Sequence, residues 1–147
     1  MKLAETSSNR IVAYLDVLGF KDMIMKDDNE KLQQYFDIVR ETLNSINGEE
    51  NEIQSLLISD SVILSTELTE TKFKQLAEVI CFIQAKLALK NIWLRGAISF
   101  GDINFDVENK LVVGKGLINA FLLENAAKYP RVIIDPRILK AFDYNRR

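Results

Sequence analysis

Residues 11–20 read Ile11-Val12-Ala13-Tyr14-Leu15-Asp16-Val17-Leu18-Gly19-Phe20, an apolar, partly branched run with one charge, Asp16, and a glycine near its end. An unbroken run of this kind marks a strand buried in the middle of a sheet. The pattern predicts a central strand over residues 10–19 with a carboxylate near its end. A bare buried carboxylate costs on the order of several kcal/mol unless a cation or hydrogen bonds compensate it. Asp16 therefore needs a partner.

Downstream, Asp27, Asp28 and Asn29 mark a helix start. Leu32, Phe36, Val39 and Leu43 follow at steps of four, three and four, and the helix ends near Asn47 and Gly48. After a polar loop over 48–52, apolar residues flank the triplet Ser59-Asp60-Ser61 within 53–65, which predicts two strands joined by a tight turn. Phe73, Leu76, Ile80, Ile83 and Leu87 keep one face of a helix over about 70–90, closed by Asn91. Residues 93–100 read as a strand, Gly101 and Asp102 as a turn, and Asp106, Glu108 and Asn109 as a polar excursion before a short strand over 111–113. Gly114 and Gly116 open a helix to about 127, Pro130 stops it, and a strand over 131–134 precedes a short helix after Pro136.

This order implies an α+β fold of ferredoxin-like type, with helices packed on one face of a mainly antiparallel sheet. In that arrangement the first strand lies beside the turn joining the second and third, so Asp16 and Asp60 meet although they are distant in sequence.

Composition narrows the chemistry. The 147 residues, 48% of them hydrophobic, make one domain over 1–147. A formal charge of -2 and a pI near 5.3 speak against a nucleic-acid surface. No run approaches the ~20 apolar residues that span a bilayer, and residues 1–10 lack the apolar core of a signal peptide. The lone cysteine, Cys81, excludes an internal disulfide and fits a reducing, cytoplasmic setting. Set among Val79, Ile80 and Phe82, it reads as a small buried hydrophobe. The absence of histidine removes the usual nucleophilic triads and His-ligated zinc sites.

Two aspartates brought together repel each other, and divalent ions between them reverse that cost. Hard oxygen ligands suit Mg2+ or Mn2+, which bind substrate phosphates through one or two carboxylates, and this points to phosphoryl transfer. The structural alternatives are Asp16 as an N-cap for a helix from Leu18 onward and Asp60 as a turn residue between serines.

Tyr14-Leu15-Asp16-Val17-Leu18-Gly19-Phe20 resembles the first metal motif of class III nucleotidyl cyclases, and Ile58-Ser59-Asp60-Ser61 resembles the second, with Ser59 where that family has glycine. Leu94-Arg95-Gly96-Ala97-Ile98-Ser99-Phe100-Gly101 is similar to the strand that follows, and Leu123-Glu124 to the end of the catalytic helix. The resemblance, over roughly residues 10–135, implies a class III cyclase core with two Mg2+ or Mn2+ ions held by Asp16, Asp60 and the backbone of Val17. It gives backbone groups of Val17, Leu18, Gly19 and Phe20 a triphosphate-cradling role. It also implies a homodimer with composite sites.

The departures from that pattern lie in base recognition and transition-state stabilisation. The base-selecting lysine falls on Gln54 and its partner on Leu111. The ribose-orienting asparagine and the phosphate-stabilising arginine fall on Ile118 and Leu122, with Asn119 one residue away. Arg95, Lys115 and Arg131 are the candidate replacement cations. Together with Gly114-Lys115-Gly116-Leu117 and Tyr129-Pro130-Arg131-Val132-Ile133-Ile134-Asp135, the pattern resembles the small pyrimidine cyclases of the Pycsar anti-phage system. That implies cyclisation of UTP or CTP. A binding module without turnover and a purine cyclase with a rebuilt base pocket are the alternatives. The chain stops soon after its last expected strand, where such cyclases usually continue, as a truncated or minimal core does.

Overall fold

A computed structural model describes residues 8–46, 53–106 and 108–143. It contains β1 (Ser8–Val17), α1 (Phe20–Met25), α2 (Asn29–Ile46), β2 (Gln54–Ile58), β3 (Ser61–Glu67), α3 (Glu70–Ala88), β4 (Leu94–Asp106), β5 (Leu111–Val113), α4 (Lys115–Asn125), β6 (Val132–Ile134) and α5 (Pro136–Ala141). The expected loop over 48–52 and the C-terminal residues 145–147 lie outside the described residues.

The sheet runs β2-β3-β1-β4-β5, with β6 also pairing β4. Every pairing is antiparallel except β4 with β6. β1 is central, as its apolar run predicts: Ile11, Val12, Ala13 and Leu15 are fully buried although they alternate between faces. The faces are covered differently. Ile11, Ala13, Leu15 and Val17 join the main core with Tyr35 and Val39 of α2, Leu76 and Ile80 of α3 and Ile138 of α5. Val12 and Ile63 join a second cluster with Ala120 of α4.

The helices therefore do not share one face, as the element order suggested, because α4 packs alone on the other side. Doubly buried β1 requires such a cover, since its alternate apolar residues must also leave water. Asp28 accepts from the amide of Lys31 at the start of α2, and Thr69 from that of Lys72 at the start of α3, two ordinary side-chain caps.

Gly101 and Asp102 form no turn, because β4 runs through them. Gly101 has φ +155°, and a Cβ there would lie 2.8 Å from Cα and N of Gly116 on α4. A Cβ on Gly116 would lie 2.8 Å from the Gly101 carbonyl and 2.9 Å from Val12. These glycines are used for helix-to-strand approach, not chain reversal.

Cys81 is exposed on α3, not buried, because the buried stripe of that helix runs through Phe73, Leu76, Ile80, Ile83 and Leu87. Among the described residues no helix is long and apolar enough to cross a membrane.

Gly116→Ala should lift α4 from β4 and cost about 1–3 kcal/mol, the usual range for overpacking a tight contact. Urea unfolding of this variant beside exposed Lys115→Ala checks it, with the latter near wild type.

Candidate functional site

β1 ends where the β2–β3 hairpin turns. In register, Asp16 stands opposite Ser61 of β3 on one side and Arg95 of β4 on the other. Cross-strand partners share a face, so Asp16, Ser61 and Arg95 project to the side that carries α4. Asp60 sits in the turn, its carbonyl accepting from the Val17 amide at 3.0 Å, and its side chain is close enough to share a hydrogen bond with Asp16.

The structure thus brings the two aspartates together. Asp16 is not a helix cap, since α1 begins after Gly19 with no side-chain cap. The hairpin tip is held from behind: Ser59, at φ 54°, has its carbonyl hydrogen-bonded by the hydroxyl of fully buried Tyr35 at 3.3 Å.

Electrostatics set this corner apart. Burial, the shared hydrogen bond with Asp60, the Asp60 charge and then Glu124 push the Asp16 carboxyl up to about 7, and Arg95 opposes them. Arg95 lies 3.7 Å from Asp16 but gives its closest contact, 2.8 Å from Nε, to Glu124. Glu124 is only 2% exposed, so the guanidinium is largely committed to neutralising it. Tyr14, on the same face, shares a 2.9 Å hydrogen bond with Ser61 and meets Phe121 of α4 edge to face. Burial raises the hydroxyl pKa of Tyr14 and also that of Tyr35, and the nearby carboxylates add to both shifts.

The other expected site residues scatter. The amides of Val17 and Leu18 are spent on Asp60 and Trp93 carbonyls, so in the expected triphosphate cradle only those of Gly19 and Phe20 are left. Phe20 itself is buried against Tyr35 and Phe36. Gln54 begins β2, six residues or ~20 Å of strand from Asp60 in the hairpin turn, at ~3.3 Å per residue. Asn119 lies on the opposite flank of α4 and donates to the Phe100 carbonyl at 3.0 Å. Ile118 and Leu122 present exposed hydrocarbon. Lys115 is exposed at the start of α4, and Arg131 donates to the Ala127 carbonyl.

Sequence reasoning missed Tyr14, Tyr35 and the role of Glu124. Glu124 carried a signal: it is the sole charge between Lys115 and Lys128, in the mainly apolar run from Leu117 to Ala127, the same anomaly that singled out Asp16.

The donor set fits a divalent ion. Among the described residues no cluster of three acidic, cysteine or histidine side chains forms a metal cage. Two carboxylates with a backbone carbonyl form the sparse oxygen set that magnesium accepts when water and phosphate complete its shell. Burial, and after it the neighbouring Asp60 and Glu124, raise the Asp16 carboxyl more than Arg95 lowers it.

No protein-family model matches the sequence, and no curated protein does either. Solved structures do. A bacterial light-regulated adenylyl cyclase superposes with a TM-score of 0.68 at 16% identity over 92% of this chain and 79% of that one. A class III adenylyl cyclase-like ATP-binding protein from Pseudomonas aeruginosa gives 0.64 at 13% identity, over 96% and 37%. The guanylyl cyclase Cya2 gives 0.59 at 11%, over 92% and 78%. At these identities the likeness is one of fold: the chain has the architecture of class III cyclase domains.

The Asp16 shift fixes a pH dependence for the metal-free protein. The folded state keeps a proton up to about pH 7 that the unfolded chain releases near pH 4, so stability falls as pH rises across that window. Urea midpoints in chelator at pH 5 and pH 8 should show the drop, and Asp16→Asn should flatten it.

Proposed function

We propose that this chain is a metal-dependent nucleotidyl cyclase that converts a pyrimidine nucleoside triphosphate, UTP or CTP, to the 3',5'-cyclic monophosphate and pyrophosphate. The observation that carries the reading is the convergence of Asp16 and Asp60 beside the turn, with the Asp16 carboxyl pushed up to about 7. Asp16, Asp60 and the Val17 carbonyl would hold Mg2+ or Mn2+, two ions in the class III pattern. Bound there, the ions supply Lewis acidity toward the 3'-hydroxyl and the leaving phosphates.

The chain's own residues supply positioning. Tyr35 fixes the carbonyl of Ser59 and so the angle at which the tip presents Asp60. The Val17–Asp60 backbone bond locks the tip to the end of β1. Arg95, paired with Glu124 at 2.8 Å, ties α4 to β4 beside the site. In the reaction the 3'-oxygen bonds to the α-phosphorus, the bond to the β-phosphate bridge breaks, and the hydroxyl proton passes to solvent.

The exposed hydrocarbon of Ile118, Phe121 and Leu122 on α4 supports a homodimer, since it gives a second copy an apolar surface to cover. Pyrimidine choice and a role in bacterial anti-phage signalling rest on the sequence resemblance. Gln54 in place of a purine-selecting lysine supports the former.

A second reading is favoured by one observation. Ile118 and Leu122 offer no donors and Arg95 is committed to Glu124, so the chain could hold a nucleotide without turning it over. The Pseudomonas neighbour is itself described as an ATP-binding protein.

Incubation with manganese and each of the four ribonucleoside triphosphates, with products identified by mass, separates these readings. A cyclic pyrimidine nucleotide, reduced at least ~10³-fold in Asp16→Ala and Asp60→Ala, is the expected result, given that carboxylate ligands hold the ions. Bound nucleotide without pyrophosphate release supports the second reading, and a cyclic purine product overturns the pyrimidine assignment. Because a metal ion displaces the Asp16 proton, manganese affinity measured by calorimetry should rise with pH up to about 7 and then level off.

A further inference from the structure

Asp60 is flanked by Ser59 and Ser61, and a tyrosine hydroxyl reaches each of them. Tyr35 bonds the Ser59 carbonyl from the core side of the sheet and so acts on the backbone of the tip. Tyr14 comes from the face that carries α4, where its hydroxyl lies 2.9 Å from Ser61 Oγ. Ser61 Oγ in turn lies 3.5 Å from Asp60 Oδ1. Tyr14, Ser61 and Asp60 thus form a chain of side-chain oxygens that ends on a carboxylate.

The direction of the protons along this chain follows from the donors present. An ionised carboxylate only accepts, whereas a hydroxyl carries one donor and two acceptor lone pairs. The single Ser61 proton therefore goes to Asp60, which leaves Ser61 Oγ as the acceptor for Tyr14. Donation by Tyr14 polarises the Ser61 hydroxyl toward the carboxylate and strengthens an outer bond that is long by itself.

Tyr14 is anchored for this task. Its ring meets Phe121 of α4 edge to face, with centroids 5.4 Å apart, and packs against the cluster of Val12, Ile63 and Ala120. The hydroxyl is aimed from packed hydrocarbon, so the ring has lost its rotamer freedom to folding already. The position of α4 is carried to Asp60 through one ring and two hydroxyls.

The need for such an anchor arises when the site loads. In the metal-free protein Asp16 and Asp60 share a hydrogen bond. Loss of the shared proton to a cation leaves two like charges, which repel. The terminal torsion of an aspartate is broad, so its carboxylate turns easily. A neutral donor on one oxygen keeps Asp60 from turning away. We infer that Tyr14 and Ser61 are positioning residues for Asp60, a hydroxyl relay that fixes its carboxylate toward a divalent ion. The relay stands on the hydrogen bonds, and its service to a metal rests on the cyclase reading.

Two readouts on the full chain test it, in wild type, Tyr14→Phe, Ser61→Ala, Ser61→Thr and the variant that combines Tyr14→Phe with Ser61→Ala. One is the nuclear magnetic resonance signal of the Asp60 carboxyl carbon in metal-free protein. The other is manganese affinity, read from the electron paramagnetic resonance of the free ion. Tyr14→Phe keeps the ring against Phe121 and removes only the hydroxyl. It should move the Asp60 signal although Ser61 stands between, and weaken manganese about tenfold, the low end for outer partners of metal ligands. Ser61→Ala should weaken it at least as much, and the combined variant should lose no more than Ser61→Ala alone, since the two hydroxyls act in series. Ser61→Thr retains a hydroxyl and should bind manganese as wild type does. If Ser61→Ala does not fold, Tyr14→Phe and Ser61→Thr carry the comparison. A purely structural role for the pair would lower urea midpoints and leave manganese affinity unchanged in the folded variants. That result overturns the inference, as does additive loss in the combined variant. An Asp60 signal left in place by Tyr14→Phe overturns the relay whatever manganese does. Wild-type protein that binds no manganese sinks the cyclase reading, while the Asp60 signal still decides the relay.

Discussion

Negative charge at the end of a doubly buried strand is the constraint on which this molecule turns. β1 places Asp16 where solvation is poor, and the β2–β3 tip adds Asp60 beside it instead of a counter-charge. The neighbour able to compensate, Arg95, spends its closest contact on a carboxylate buried still more deeply, Glu124. A fold optimised only for stability would replace such an arrangement with hydrocarbon, since buried ionic clusters seldom repay their desolvation. Its presence in an otherwise well-packed sheet supports the proposed cation site.

The two-sided cover of the sheet explains how the corner is both built and reachable. α2, α3 and α5 bury one face in a continuous apolar core, from which Tyr35 reaches the hairpin tip through the Ser59 carbonyl. On the other face α4 alone rests on β4 and β1 through a glycine contact close enough to exclude side chains. That single helix divides the face in two. The aspartates lie on one flank, and a groove edged by Asn119 and Arg137 lies on the other. Ile118 and Leu122 are exposed on the helix between them.

Much of this was legible in the residues. The unbroken run of β1, the heptad-like stripes of α2 and α3 and the polar triplet at residues 59–61 each have a periodicity that local physics dictates, and their elements fell where the spacing put them. Gly101 did not, because a glycine read along the chain signals a turn, whereas its partner Gly116 is a tertiary contact invisible to local pattern. Placement of α4 on the opposite face was likewise implicit in the double burial of β1 but not in the order of elements. Cys81 failed for a related reason: an apolar neighbourhood in sequence is not one face of a helix. At the site, the aspartates stood out as charges in apolar surroundings. Tyr35 did not, since a tyrosine in a helix is unremarked until folding supplies its partner.

Substrate choice is the part the fold leaves open, since adenylyl and guanylyl cyclases share this architecture. What unites the readings is an ion shared by Asp16 and Asp60 beneath a triphosphate. The most direct measurement is a crystal structure with manganese and a non-cleavable nucleoside triphosphate analogue, with the metal located by its anomalous scattering. A peak about 2.1 Å from carboxylate oxygens of both aspartates, at octahedral distances for a hard ion of this size, is the predicted result. Manganese bound elsewhere, or both aspartates still joined to protein groups with nucleotide present, contradicts it.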